Sequence, residues 1–265
     1  MVIIDNLFIH YKRPGQYVFA GENYLDIYTY VNKSFQKTRT IENASIFNPG
    51  SDNFKGLFRE LAAVDTGIIL NSGYYIFNIF DFEKIPFREG LQQEIVEWRL
   101  RKVFPENIDE YDHQFFKMSK KKILSILFKK SLKEKIEEYF TANGLNLIYM
   151  GNSTVNIINH VVTQKTAPDF FIEIDRDLFI IVFQDHSMPF YIRKFRNDHE
   201  NEVVGEIIKT TNYVKNSYSQ VLHSYSIISN RPGLNFDLIG DELSKLDIHP
   251  HDLKEREKLF LPLPG

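Results

Sequence analysis

The last hundred residues carry the pattern that most limits how this chain can fold. Three apolar segments separated by short polar turns predict consecutive strands at residues 170–174, 178–183 and 189–195. A long amphipathic segment at 199–218 predicts a helix, and a further strand at 221–229 and a closing helix at 236–246 follow it. A meander followed by a crossover helix and another strand predicts a mixed sheet with helices on its faces.

The first part of the chain has a similar pattern of strands with one helix. The apolar runs predict strands at residues 17–20, 24–31, 66–70 and 74–80, with a turn at Gly21. Residues 52–63 have the apolar spacing of a helix, and Asp52 stands where its N-cap would be.

The middle of the chain alternates between helices and strands. A helix is predicted from Pro86 to Pro105, with Leu91, Ile95, Trp98 and Val103 on its apolar face. The remaining predicted elements are strands at 122–128 and 145–150 and helices at 131–140 and 153–161.

These patterns predict an α/β protein built from two halves. The first half comprises residues 1–84 and 145–167, an α/β subdomain at 85–144 is inserted into it, and the second half comprises residues 168–265.

Composition excludes several classes of function. The 265 residues contain no cysteine, so disulfide scaffolds, thiolate nucleophiles and thiolate metal sites are excluded. The net charge of -3 provides no overall field that would attract nucleic acid. No apolar run approaches the roughly 18 residues of a membrane-spanning helix, and the first residues are too polar for a signal peptide.

Three segments resemble the PilM-type pilus assembly proteins. Residues 188–195 resemble the third strand of that family, with Pro189 and Arg193 in its P-x-x-x-R spacing. Residues 202–213 are similar to the helix that follows, and residues 86–104 to the start of the inserted subdomain. The resemblance implies an actin-like ATPase fold made of two ribonuclease H-like halves, here with reduced peripheral subdomains.

The resemblance also implies a function. Family members are cytoplasmic, bind nucleotide and recruit the cytoplasmic tail of an inner-membrane pilus protein, and type II secretion systems use a related domain. We therefore expect a cytoplasmic protein, peripheral at the inner membrane, that does not span it and whose partner is such a tail. No nucleic-acid partner is expected, and a homo-oligomer stays open.

In the actin-like family, two hairpins with an Asp-x-Gly motif cradle the phosphates of the nucleotide, and a later Gly-Gly accommodates the nucleoside. At the first hairpin this chain has Phe19 in place of the aspartate and retains Gly21. The second hairpin has Glu173 and Asp175 in place of aspartate and glycine. Ser229-Asn230 stands where Gly-Gly is expected.

The three departures together predict that nucleotide binding has been lost. An acid at Asp175 would repel phosphate by about 1 kcal/mol at contact, even in water. We therefore expect no catalytic residue and no cofactor. The alternative is an active protein that binds ATP and Mg²⁺ through unusual phosphate loops. In that alternative the motif positions are assigned a residue or two away from their true places, and Asp175 or Asp177 is catalytic.

A hydrophobic groove is the predicted contact site for the partner. In the PilM-type proteins that this chain resembles, the inserted subdomain borders the groove that binds the partner peptide. Ile95, Trp98 and Phe104 are predicted to line it, as a slot for an extended segment. The alternative is that Trp98, the only tryptophan, belongs to the core.

Asp65-Thr66-Gly67 raises a distant alternative. This triplet also occurs in aspartic proteases, which share one proton between two such carboxylates. Only one copy is present, so a homodimer would have to supply the second. The predicted helix and strand on either side favour a turn.

Three further signals are interpreted as structural. His249-Pro250-His251 could bind a metal on a strand, but the proline favours a solvated turn. Lysines concentrated at 117–135 could contact acidic lipid or nucleic acid, but interleaved glutamates favour a mixed-charge face. Arg193 is predicted to form a salt bridge with Glu202 or Glu206. The interpretation is thus a non-catalytic actin-like scaffold of a pilus or secretion-type assembly.

Overall fold

The structure is a computed structural model of the whole chain. It describes residues 8–9, 14–32, 34–46, 61, 65–164, 168–175, 177–184, 188–196, 200–229, 235–251 and 261–262. The chain forms two compact units, one of residues 2–157 with 260–265 and one of residues 158–259 with Met1. The domain borders expected from the sequence stay a prediction. No helix in the described parts of the chain combines the length and apolarity that a membrane span requires.

A six-stranded mixed sheet forms the base of the first unit. Its strands are β1 (Phe8–Ile9), β2 (Gln16–Ala20), β3 (Tyr24–Val31), β4 (Ser34–Glu42), β5 (Thr66–Leu70) and β9 (Leu147–Asn152). They lie in the order β1-β9-β5-β2-β3-β4. β2, β3 and β4 form an antiparallel meander, and β5 is parallel to both β2 and β9. The predicted hairpin around Gly21 is confirmed.

Burial explains why β2 and β5 are nearly continuous apolar runs. All five residues of each strand are buried, as expected for central strands with both faces covered. A short 3-10 helix at Ser72–Tyr74 follows β5, and helix α3 (Ser153–Gln164) follows β9. The predicted helix at 52–63 lies outside the described residues except for Leu61, which is helical and buried.

A three-stranded antiparallel sheet completes the first unit. It contains β6 (Tyr75–Asp81), β7 (Tyr111–Lys117) and β8 (Lys122–Lys129), with β8 in the centre. The strand β7 was not predicted, because its sequence Tyr-Asp-His-Gln-Phe-Phe-Lys lacks β-branched residues and a regular alternation. Helix α1 (Glu89–Val103) precedes β7, and helix α2 (Lys130–Ala142) follows β8 and ends before Gly144, whose φ is +68°.

The helix α1 buries a different face from the predicted one. Gln92, Val96 and Leu100 are buried against the sheet, whereas Leu91 and Trp98 are 45% and 55% exposed. Leu91, Ile95 and Trp98 recur every three or four residues, as Gln92, Val96 and Leu100 do, so periodicity alone fits either face. The buried face was not predicted because it includes Gln92, which is polar. The side-chain amide of Gln92 donates to the carbonyl oxygen of Pro86 at 2.8 Å, so this polar group has a partner within the fold.

The second unit contains a five-stranded mixed sheet. Its strands β10 (Phe170–Ile174), β11 (Asp177–Gln184), β12 (Met188–Arg196), β13 (Ser224–Ser229) and β14 (His249–Pro250) lie in the order β12-β11-β10-β13-β14. β10, β11 and β12 are the predicted meander, and β13 is parallel to β10. Helices α4 (Glu200–Tyr218) and α5 (Phe236–Ser244) contribute Val203, Ile207, Ile239 and Leu243 to one core with this sheet.

The segment at His249 differs from its prediction as a turn. His249 and Pro250 form an edge strand parallel to β13. The backbone N–H of His249 donates to the carbonyl oxygen of His223 at 2.8 Å, and proline is tolerated because the strand lies at the sheet edge.

Candidate functional site

The turn between β2 and β3 contains the residues predicted for the first phosphate hairpin. Phe19, which replaces the aspartate, is 3% exposed and stacks on Tyr24 with 6.1 Å between ring centroids. The N–H of Gly21 donates to the carbonyl oxygen of Tyr24 at 3.1 Å, which closes the turn. The ring of Tyr24 covers Gly21 so closely that a Cβ added there would lie 2.2 Å from it.

This covering changes the chemistry available at the hairpin. A glycine in a phosphate loop leaves room for the ligand to approach the backbone. At Gly21 an aromatic ring of the same chain takes that room, and the hydroxyl of Tyr74 donates to the Gly21 carbonyl oxygen at 3.1 Å. Phe19 supplies neither a metal ligand nor an acceptor for a water proton.

The turn between β10 and β11 and the end of β10 contain the residues predicted for the second hairpin. Glu173 is 6% exposed and lies between Phe179 on β11 and Ile228 on β13. The backbone N–H of Asp175 donates to the carbonyl oxygen of Asp177 at 3.2 Å. The carboxylate of Asp177, a catalytic residue in the alternative interpretation, forms an ion pair with Lys194 at 2.9 Å.

The third predicted position lies at the end of β13. Ser229 is partly buried and pairs with Ile174, the residue between Glu173 and Asp175. The structure therefore places Ser229 beside the second hairpin, within one sheet. Asn230 lies outside the described residues.

Sequence reasoning missed Tyr24 as the residue that defines the first hairpin. Tyr24 was assigned only to the strand that follows the turn. The sequence does show a large aromatic residue, Tyr24, three positions after the turn glycine Gly21. A hydrogen bond from the N–H of Gly21 to the carbonyl oxygen of Tyr24 closes such a turn and brings the two residues together.

The three predicted groove residues do not share one environment. Ile95 and Phe104 are partly buried and pack against the core between α1 and the three-stranded sheet. Trp98 projects from the exposed side of α1, and the ammonium nitrogen of Lys102 lies 3.6 Å from the centroid of its ring. A groove lined by these residues stays a prediction.

Asp65-Thr66-Gly67 starts a strand of the six-stranded sheet. Thr66 and Gly67 are the first residues of β5, and the carboxylate of Asp65 accepts from the side-chain amide of Asn146 at 2.6 Å. The ring of Tyr17 would lie 2.5 Å from a Cβ at Gly67. Packing against this ring therefore accounts for the glycine.

Arg193 forms the predicted salt bridge. Its guanidinium lies 2.5 Å from the carboxylate of Glu206 on α4 and also donates to the hydroxyl of Thr210 at 3.2 Å. Lys209 pairs with the other carboxylate oxygen of Glu206 at 2.6 Å. Arg193 therefore ties β12 to α4 in the second unit.

His249 has a side-chain partner two residues earlier in the chain. The Nε2 atom of His249 lies 3.0 Å from the carboxylate of Asp247. Among the residues that the structure describes, no three histidine or acidic side chains are grouped as a metal site would require.

A cavity of about 340 Å³ opens between the end of α2 and the start of β9. Glu137, Thr141, Asn146 and Tyr149 are among its lining residues. None of the residues predicted for nucleotide or partner binding lines it.

The fold is shared with solved structures of very different sequence. No family model and no curated protein matches the sequence. A Bacteroides thetaiotaomicron protein with an actin-like ATPase fold and unknown function matches over 91% of each chain, with 12% identity and a TM-score of 0.58. The chain therefore has an actin-like ATPase fold, and the fold class predicted from the sequence is confirmed.

Two further matches come from a secretion system and a pilus biogenesis complex. The cytoplasmic domain of EpsL, an inner-membrane component of the type II secretion system of Vibrio cholerae, matches over 92% of each chain, with 6% identity and a TM-score of 0.61. A structure of the PilM-PilN type IV pilus biogenesis complex matches over 92% of this chain and 93% of the other, with 12% identity and a TM-score of 0.60. At such identities the likeness establishes the fold, and the resemblance noted from the sequence points to the same structures.

Proposed function

We propose that this protein is a non-catalytic actin-like scaffold of a type IV pilus or secretion-type assembly. It acts in the cytoplasm at the inner membrane and binds the cytoplasmic tail of an inner-membrane assembly protein. It uses neither ATP nor Mg²⁺.

The covered hairpin at Gly21 carries the non-catalytic part of this proposal. The ring of Tyr24 lies over the glycine, and Phe19 replaces the carboxylate. At the second hairpin, Asp175 adds a negative charge and Asp177 is paired with Lys194. Each change opposes phosphate binding by a separate route: occupied space, a lost ligand and charge repulsion.

The assembly role is supported by the fold. EpsL is an inner-membrane secretion component, and PilM was solved in complex with PilN. Both resemble this chain over more than nine-tenths of its length. The predicted groove of Ile95, Trp98 and Phe104 is the proposed contact for the partner segment. A Trp98→Ala variant that folds and binds its partner as well as the native protein would contradict that groove.

Thermal unfolding with and without Mg-ATP tests the proposal. A ligand at about 100 times its dissociation constant stabilises the folded state by about 2.7 kcal/mol. We expect no change in Tm at millimolar Mg-ATP. A clear rise would overturn the scaffold proposal and favour the ATP-binding alternative.

A variant of the covering ring makes this test sharper. Tyr24→Ala removes the side chain over Gly21 and leaves Phe19 in place. If only Tyr24→Ala gains a Tm shift with Mg-ATP, the ring is the obstacle to the nucleotide. If neither protein responds, the lost carboxylate is sufficient to prevent binding.

A further inference from the structure

The turn between β7 and β8 is a lysine-rich hairpin tip with an ordered backbone. The hydroxyl oxygen of Ser119 accepts from the N–H groups of Lys121 and Lys122 at 3.2 and 3.1 Å. The N–H of Met118 donates to the carbonyl oxygen of Lys122 at 2.9 Å. Met118 is buried, whereas Lys120 and Lys121 are exposed at the tip.

A chain of contacts joins this tip to the exposed side of α1. The N–H of Phe82 donates to the carbonyl oxygen of Lys121 at 2.8 Å. The guanidinium carbon of Arg99 lies 5.7 Å from the ring centroid of Phe82 and 5.8 Å from that of Trp98. Lys102 lies over the same indole ring at 3.6 Å. We call this continuous area the lysine–tryptophan surface, formed by Lys117, Lys120, Lys121, Phe82, Arg99, Trp98 and Lys102.

The cations of this surface are not neutralised by the protein. In the described parts of the chain, its four lysines and Arg99 have no ion-pair partner. By contrast, neighbouring Lys122 pairs with Asp81 at 2.6 Å, and Arg101 pairs with Asp109 at 2.8 Å. Among the acids that lie close in the sequence, Asp81 is paired with Lys122, and Glu83, Glu94 and Glu97 are fewer than the five cations.

The fold divides the basic run that appeared continuous in the sequence. Its second half lies on α2, where Lys133 pairs with Asp112 and glutamates alternate with the lysines. That part is the mixed-charge face expected from the sequence. The first half is the hairpin tip, which has no interleaved acid.

We propose that the lysine–tryptophan surface binds anionic phospholipid at a membrane surface. Tryptophan favours the boundary between headgroups and acyl chains, and lysine and arginine are attracted by anionic headgroups. Trp98, Lys120 and Lys121 are exposed, so they are accessible to a bilayer. This role goes beyond the scaffold function and uses none of the hairpin residues Phe19, Gly21 and Tyr24.

Nucleic acid is the other polyanion that this surface could contact. Single strands bind by stacking their bases on aromatic rings. Lys102 already lies over the ring of Trp98, so that face of the ring is not open to a stacked base. This observation favours the lipid.

Vesicle flotation combined with tryptophan fluorescence tests the proposal on the full chain. Trp98 is the only tryptophan, so its emission reports on this surface alone. We expect the protein to float with vesicles of equal parts phosphatidylglycerol and phosphatidylcholine, and its emission to shift to shorter wavelength. Vesicles of pure phosphatidylcholine should produce neither effect, and added salt should release the protein.

Charge reversal at the tip supplies the matched comparison. Lys120→Glu with Lys121→Glu should weaken binding to the anionic vesicles by at least about tenfold. Lys135→Glu with Lys215→Glu changes the net charge equally on exposed helix positions and should retain binding. All substituted side chains are exposed, and circular dichroism checks that both variants fold.

Three results would overturn the lipid proposal. One is no flotation with anionic vesicles, which would leave Trp98 with the proposed partner groove alone. A second is equal loss of binding in the two double variants, because the effect would then follow total charge. The third is tighter binding to a single-stranded oligonucleotide than to the vesicles. A Tm shift with Mg-ATP, in contrast, would affect only the scaffold proposal.

Discussion

Two motif glycines, one in the turn after β2 and one on β5, lie against tyrosine rings of the same chain. Gly21 is covered by Tyr24, and Gly67 by Tyr17. Neither has a positive φ, so space rather than backbone conformation requires glycine. Motif glycines that suggest phosphate or protease chemistry thus have a packing explanation at both places.

Replacing Gly67 with alanine tests this explanation. The added Cβ would lie 2.5 Å from the ring of Tyr17, which is buried and makes edge contacts with Phe35 and Tyr149. We expect Gly67→Ala to lower the free energy of unfolding by about 1–3 kcal/mol in urea denaturation. Gly90→Ala is the control, because no atom lies within 4 Å of its added Cβ. If Gly67→Ala were as stable as this control, the packing explanation would fail.

Single polar side chains were predicted with uneven success. The salt bridge of Arg193 was anticipated because the strand that carries Arg193 is followed by a helix whose first two turns carry Glu202 and Glu206. The ring of Tyr24 over Gly21 was not anticipated, because its direction depends on the geometry of the turn and not on spacing.

At the level of elements, α1 has apolar residues on two sides. Val96 and Leu100 are fully buried against the three-stranded sheet, while Leu91 and Trp98 face away from it. A helix with one covered and one exposed apolar side is consistent with a second contact, which the lysine–tryptophan surface provides.

The two sides of α1 should differ in their effect on stability. Leu100→Ala removes a fully buried side chain and should cost about 2–5 kcal/mol. Trp98→Ala removes a side chain that is 55% exposed and should change stability by no more than about 0.5 kcal/mol. Urea unfolding monitored by circular dichroism measures both. A large cost for Trp98→Ala would show that the ring stabilises the fold.

The three-stranded sheet also contains a partly buried histidine. The Nε2 atom of His113 on β7 lies 3.1 Å from the hydroxyl of Ser125 on β8. Burial lowers the pKa of His113 below its ordinary 6.5, while the nearby Glu97 has an opposite, smaller effect. The unfolded chain therefore binds this proton at a higher pH than the folded chain does.

Acid should consequently destabilise the fold through His113. Its contribution to stability is complete above about pH 6.5 and is lost as the pH falls below that value towards the folded pKa. We expect His113→Gln to reduce the slope of unfolding free energy against pH in this window. Equal slopes for the native protein and His113→Gln would contradict the assignment.

For the whole molecule, the sequence predicted the elements better than their partners. Apolar runs separated by clear turns located the meander of β10, β11 and β12. Hydrophobic periodicity and turn residues are local properties of the sequence, so they can be recognised without knowing which strands pair. The strand β6 was not assigned to its sheet, because its pairing with β8, for example Asp81 with Lys122, joins residues far apart in the chain. The strand β7 was missed because its own sequence has no regular alternation of apolar and polar residues.

The candidate site was less predictable than the fold. Departures from the phosphate motifs were visible in the sequence as substitutions at Phe19 and Asp175. The continuity of the lysine–tryptophan surface was not, because the contacts of Arg99 with Phe82 and Trp98 depend on how α1 lies beside the hairpin.

The ring of Tyr24 over Gly21 has a consequence for how such a protein would be controlled. A bound nucleotide can be exchanged or hydrolysed, and either event can serve as a timer. A side chain of the same polypeptide can be neither released nor consumed. In the proposed scaffold, the amount ready for assembly would then be set by synthesis and degradation, and not by the energy charge of the cell.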